Sequence, residues 1–162
     1  MNLSTPTQPH AAELERELDR LVCFFEQLAP SDLDRIALLY APAARFKDPF
    51  NEVQGVAAIE QIFRHMFESL HEPRFVVTQR MLQGREAFLC WDFVFRFQSF
   101  RSQQLQTIRG ATQLRFDEQG RVKEITVFFR PMAGTAAFLS ATGPKVGRRF
   151  GGRGRGAVRR AQ

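Results

Sequence analysis

The chain has 162 residues, 44% of them hydrophobic and 25% charged, enough to bury one substantial core in a single domain. Its formal net charge of +6 belongs to one end: Gly143–Gln162 carry seven basic side chains and no acid, leaving sixteen bases against seventeen acids in the rest. With no apolar run behind a basic start, and no uncharged stretch longer than Pro131–Pro144, the sequence argues against export or a membrane span and reads as cytoplasmic.

Residues 1–10 read as a flexible N-terminus. Leu14, Leu18, Leu21, Val22, Phe25 and Leu28 then recur at helical spacing and predict a helix over Ala11–Ala29. Ser31 reads as an N-cap, with Asp32 and Asp34 in the first turn of a short second helix ending near Tyr40. The stretch ARFKDPF follows. Phe46, Asp48 and Phe50 sit two apart, so an extended segment turns them to one side and Arg45 and Lys47 to the other. Pro49 disfavours helix for the residue before it and holds Asp48 extended at a strand end. Two readings of Asp48 stay open: a turn residue whose carboxylate accepts bonds from nearby amides, or a desolvated carboxylate kept against aromatic rings for function. After Gly55, the stripe Ile59, Ile62, Phe63, Met66, Phe67 and Leu70 predicts a third helix. His65 lies off that stripe and reads as a surface residue.

Beyond Pro73 the period changes from helix to strand. Strands are predicted over Arg74–Leu82, Glu86–Gln98, Gln104–Phe116 and Arg121–Arg130, joined by QGRE, a polar SFRSQ loop and a DEQG turn into an antiparallel meander. In the second strand Leu89, Trp91, Phe93, Phe95 and Phe97 share one face. Seventeen Phe stand against one Trp and one Tyr, and Phe brings bulk without a polar group, so an apolar interior or cavity follows. Helices followed by a meander give an α+β domain with the helices on one face. Cys23 and Cys90 lack metal-type spacing and read as small buried hydrophobes, with no disulfide, metal or cofactor expected. The tail, with RRFGGRGRG at its centre, is too poor in apolar residues to order itself. Such tails bind RNA through phosphate contacts, but a solubilising extension is the preferred reading here.

The order of elements, ARFKDP followed by GVAAIEQIF, and the hairpin LRFDEQGRV together resemble the nuclear transport factor 2-like superfamily, in its SnoaL-like and ketosteroid isomerase branch. The resemblance spans Glu13–Arg130. It implies three helices packed on a strongly curved antiparallel sheet, a cone-shaped, cystatin-like α+β roll occupying residues 11–142, with the disordered basic tail over 143–162. It also implies an apolar pocket for a small molecule and a homodimer paired through the outer face of the sheet, where Cys90, Asp92, Val94 and Arg96 would lie.

By the same resemblance, Asp48 occupies the position of the isomerase's general base. The isomerase's two oxyanion donors fall on Phe24 and Thr112, neither of which is the acid required, and the His and Asp of many SnoaL-like last strands fall on Ile125 and Val127. One lost donor of this kind costs about a hundredfold to a thousandfold in rate, so steroid isomerisation is not expected. The remaining donors are Thr112, the Trp91 indole and the Tyr40 hydroxyl. The expected pocket is walled by Phe24, Tyr40, Phe46, Phe50, Phe63, Phe67, Trp91, Phe93, Phe95, Thr112, Val127 and Phe129. Three functions fit: a pocket for a small apolar ligand with Asp48 as polar anchor; an isomerase-, cyclase- or hydrolase-type enzyme using Asp48 as base; or a non-catalytic dimeric module, its cavity filled by its own rings, with a nucleic-acid-binding tail.

Overall fold

Strict alternation along Glu86–Phe97 organises the molecule: Ala87, Leu89, Trp91, Phe93, Phe95 and Phe97 are buried while the residues between them are not. In the computed structural model, which describes residues 11–98 and 103–130, this strand, β4, lies within a six-stranded curved sheet. The expected N-terminal extension, most of the SFRSQ loop and the basic tail lie outside the described residues. The helices are α1 (Ala11–Glu26), a 3-10 helix (Pro30–Leu38) and α2 (Val56–Ser69). The remaining strands are β1 (Tyr40–Lys47), β2 (Glu52–Gln54), β3 (Leu70–Gln83), β5 (Gln106–Phe116) and β6 (Val122–Phe129). Their order across the sheet is β2-β1-β6-β5-β4-β3.

The α+β architecture is the expected one, with three differences of detail. First, the sheet is mixed. β3 to β6 form the antiparallel meander, but β1 runs parallel to β6, with Phe46 opposite Ile125 and Lys47 opposite Thr126. Helix α2 and the meander intervene between those two strands, and local sequence does not carry the direction in which β6 returns. Second, the middle helix is a 3-10 helix begun by Pro30, not an α-helix capped by Ser31. Asp32 Oδ2 accepts the Ala29 N–H at 3.2 Å, so an acid in the first turn serves where a serine cap was expected. Tyr40 consequently opens β1 instead of closing a helix. Third, β3 starts at Leu70, before Pro73. It is an edge strand, where a missing amide donor is tolerated.

Helix α1 packs against β3, and α2 packs against β1, β3 and the 3-10 helix. Leu14, Leu18 and Leu21 form the buried stripe of α1, and Ile59, Ile62, Phe63 and Met66 that of α2. Burying each such side chain contributes about 1.5–3 kcal/mol. Cys23 falls off its stripe and is exposed, and Cys90 is half-buried on the outer face of β4; both are free, neither the core residue expected. His65 is half-buried and lies 3.5 Å from the Ser69 hydroxyl one turn later.

Candidate functional site

Between the helices and the concave face of the sheet lies a cavity of about 120 Å³ with almost entirely apolar walls. β1 and its turn supply Tyr40, Phe46 and Asp48; α1 supplies Leu21 and Phe25; α2 supplies Ile62, Phe63 and Met66. The floor comes from alternate residues of the meander, among them Phe75, Val77, Leu89, Trp91, Phe93, Thr112, Val127 and Phe129. The rings interlock. Phe75 stacks on Phe93 at 4.6 Å and meets Trp91 edge-on at 5.6 Å, while Phe25 touches Phe63 at 5.3 Å and Tyr40 at 6.4 Å.

Eight of the twelve expected wall residues, together with Asp48, therefore surround one cavity: Tyr40, Phe46, Phe63, Trp91, Phe93, Thr112, Val127 and Phe129. Four stand elsewhere. Phe24 points away from the cavity's wall, its ring against Phe25 at 5.3 Å and beneath the Arg35 guanidinium at 5.9 Å. Helical spacing from Leu14, Leu18 and Leu21 leads to Phe25, whereas the count back from Asp48 lands on its neighbour one step around the helix. Phe95 is sealed in the core between Phe93 and Phe97, Phe67 is a partly buried residue packed on that core, and Phe50 sits in the turn against Phe129 at 5.7 Å. Phe75 was the wall residue hardest to foresee, since β3 is largely exposed and only its two-residue spacing from Val77 marks a facing pair.

Asp48 directly follows β1 and begins the four-residue turn Asp48-Pro49-Phe50-Asn51, closed by the Asp48 N–H donating to the Asn51 carbonyl at 2.9 Å. Asp at the first position and Pro at the second suit such a turn. The carboxylate is the turn's hub. Oδ1 accepts the N–H of Phe50 at 2.7 Å and of Asn51 at 2.6 Å, and the Asn51 side-chain amide reaches both Oδ1 and Oδ2, at 3.1 and 3.0 Å. Asn51, absent from the expected site, is 3% exposed and the only buried polar or charged residue among those described. Burial pushes the Asp48 carboxyl above its ordinary value, and the bonds from Asn51 and the two amides oppose that rise without cancelling it. The two readings of Asp48 thus coincide in one group, a turn hub that also lines the cavity as a desolvated acid.

The other polar groups of the wall are Trp91, Thr112 and Tyr40. The Trp91 indole N–H donates to Thr112 Oγ1 at 2.9 Å, which commits that donor to the protein itself. Its ring lies over Gly110, directly opposite on β5, where any Cβ would overlap the indole. The Tyr40 hydroxyl is fully buried and makes no hydrogen bond, and burial pushes its ionisation far up. Among the described residues no three His, Cys, Asp or Glu side chains gather closely enough to hold a metal ion.

Residues 22–125 match the family model of the SnoaL-like domain. Many solved structures share the fold, among them the following three. A steroid delta-isomerase from Pseudomonas aeruginosa is 23% identical, with 82% of this chain and 90% of that one covered at a TM-score of 0.57. A nuclear transport factor 2-like protein of unknown function from Burkholderia pseudomallei is 15% identical, over 79% and 98%, at 0.64. A cystatin-like fold protein from Silicibacter pomeroyi is 21% identical, over 76% and 79%, at 0.55. No curated protein matches the chain.

Proposed function

The chain belongs to the SnoaL-like domain family, and from that premise we propose that its cavity binds a small, mainly apolar molecule of about one ring, with Asp48 as the polar anchor. The observation that carries this reading is the cavity itself: space of about 120 Å³ with apolar walls and a desolvated carboxylate among the lining groups. Apolar cavities of about 150 Å³ stay dry and take up benzene, so the enclosed space is on the scale of one ring. The test is an NMR titration with a panel of one-ring compounds, following the indole N–H of Trp91, the single tryptophan of the chain. Saturable shifts that weaken at least tenfold in Asp48→Asn are expected. A panel with no binder overturns the reading.

A second reading has its own support. A carboxyl raised by burial holds a proton nearer the working pH, which is what a general acid–base requires. Asp48 would then exchange protons at the carbon next to a carbonyl. Incubating the protein with a cyclic ketone in deuterated water reads this directly, as loss of the α-proton signal faster than in buffer and no faster than buffer with Asp48→Asn. Equal rates for both proteins would sink it.

The outer face of the sheet supports a two-fold pairing. Met81, Phe88 and Phe128 are 65, 40 and 51% exposed there, and Phe88, Cys90 and Asp92 alternate outward along the middle of β4. A second copy would cover these side chains at a self-complementary contact. Sedimentation of a monomer at micromolar concentration rules the pairing out.

A further inference from the structure

Among the described residues that line the cavity, only Asp48 brings a charge: no Lys, Arg or His stands with it, and burial keeps the Tyr40 phenol neutral. Lys47, its neighbour in the chain, pairs with Glu52 at 3.1 Å instead. A carboxylate taken out of water is ordinarily met by a cation. The groups that hold this one are all neutral amides, the N–H groups of Phe50 and Asn51 and the Asn51 side chain. Once ionised, the site therefore keeps a full negative charge, and its walls supply nothing of the opposite sign.

The two carboxylate oxygens differ. Oδ1 accepts three bonds, at 2.7, 2.6 and 3.1 Å, and is filled; Oδ2 accepts one, at 3.0 Å, which leaves it room for a further donor. Asp48 is only half-buried, unlike the sealed core around it, so that oxygen is within reach of a ligand. The rest of the wall also suits a cation. Eight of the nineteen residues around the cavity are aromatic, and the face of a ring carries partial negative charge that attracts an ammonium group, whereas an aliphatic wall would only desolvate it. Trp91, the ring type that makes this contact best, is one of the eight.

We infer that the natural occupant of the cavity is an organic cation, a protonated amine of about one ring, whose N–H donates to Asp48 Oδ2 while its hydrocarbon part packs among the aromatic side chains. The inference rests on the ligand-binding reading above and names its ligand class. An anion of the same shape is repelled, and a neutral alcohol forgoes the charge pairing that the site leaves open. Asp48 is then the specificity-determining residue, selecting by charge where the walls select by size and shape.

Three probes on one ring test it: cyclohexylammonium, cyclohexanol and cyclohexanecarboxylate, which are positive, neutral and negative at neutral pH. Each is titrated into the full-length protein, with the Trp91 indole resonance reporting occupancy. A hydrogen bond to a charged partner is about twice as strong when both sides are charged, so the ammonium is expected to bind wild type about tenfold more tightly than the alcohol, and the carboxylate not to bind. In Asp48→Asn, which keeps an oxygen acceptor and loses the charge, the ratio of ammonium to alcohol affinity falls to about one. In Glu52→Gln, which removes an exposed acid outside the cavity wall, the preference persists. An alcohol that binds wild type as tightly as the ammonium overturns the inference and leaves the cavity reading standing. So do binding of the carboxylate, a preference that survives Asp48→Asn, and one that is lost in Glu52→Gln. If none of the three probes binds wild type, the cavity reading falls and takes this inference with it.

Discussion

The concave and convex faces of the sheet are built from alternate residues of the same strands, yet they obey different physics. Inward, β4 presents Leu89, Trp91, Phe93 and Phe95, and polar groups appear singly, each needing a specific partner. Outward, the same strand presents Glu86, Phe88, Cys90 and Asp92, and polarity comes as ladders. Arg115 stands between Glu86 at 2.8 Å and Glu124 at 3.2 Å across three strands, and Arg109 lies 3.6 Å from Asp92. Those ladders are more than two-fifths exposed at every member of the first, so water and salt weaken them. A lost contact costs little outside and much inside, because only outside can water replace the missing partner.

Phe95→Ala should break the inner face most severely. The side chain is 1% exposed between Phe93 and Phe97, and truncating a buried Phe costs about 3–5 kcal/mol. Chemical denaturation of the two proteins checks this; a loss under about 1 kcal/mol would mean that the concave wall is far less closely packed than it is here.

Gly110→Ala comes next. Its new methyl meets the Trp91 ring, and overpacking of this kind costs about 1–3 kcal/mol. The indole has to leave its bond to Thr112, so the Trp91 fluorescence spectrum and its indole N–H resonance should both shift. An unchanged spectrum would place the ring away from Gly110.

Asp48→Asn tests the turn and the cavity together. Asn retains an acceptor for the amides of Phe50 and Asn51 but sets its own amide against that of Asn51, so stability should change by no more than about 1 kcal/mol. The pH dependence is more telling. Because the folded carboxyl titrates above its unfolded value, the native state binds more protons over that interval. Its contribution is complete below the unfolded value and is lost as pH rises through the folded one. Wild type should therefore lose stability relative to Asp48→Asn on going from about pH 3 to pH 7, as measured by denaturant midpoints. The opposite slope would show that the amides and Asn51 outweigh burial.

Arg115→Ala should have the smallest effect. It removes two exposed pairs, each at the low end of about 0.2–1 kcal/mol, and the loss should shrink further in high salt. A loss as large as that of Gly110→Ala would show that the outer face is covered in solution, as pairing of two copies requires.

Much of this arrangement is legible along the chain. The alternation of β4 assigns its buried face residue by residue, since the pleat sends neighbours to opposite sides whatever lies beyond them. The stripes of α1 and α2 do the same at helical period, and Asp-Pro after an extended segment marks the turn and the strand end. Such features depend on the backbone's own geometry, and a single sequence carries them. Which rings wall one cavity is less legible: Phe95 and Phe93 follow the same alternation, and only the position of the helices above them decides which is sealed and which faces open space.

The sequence by itself determined the element types, the lopsided strand and a carboxylate held at a strand end beside aromatic residues. Tertiary structure alone decided the parallel return of β6 beside β1, the choice of Phe25 over Phe24, the room that Gly110 leaves for Trp91 and the isolation of the Tyr40 hydroxyl. It also decided the character of Asp48, because burial and hydrogen bonding act on a carboxyl in opposite directions and only the assembled surroundings set their balance. Local geometry repeats with a fixed period and can be read from residue spacing. Desolvation and hydrogen-bond satisfaction depend on what distant segments bring to the same place, and spacing along the chain does not encode them.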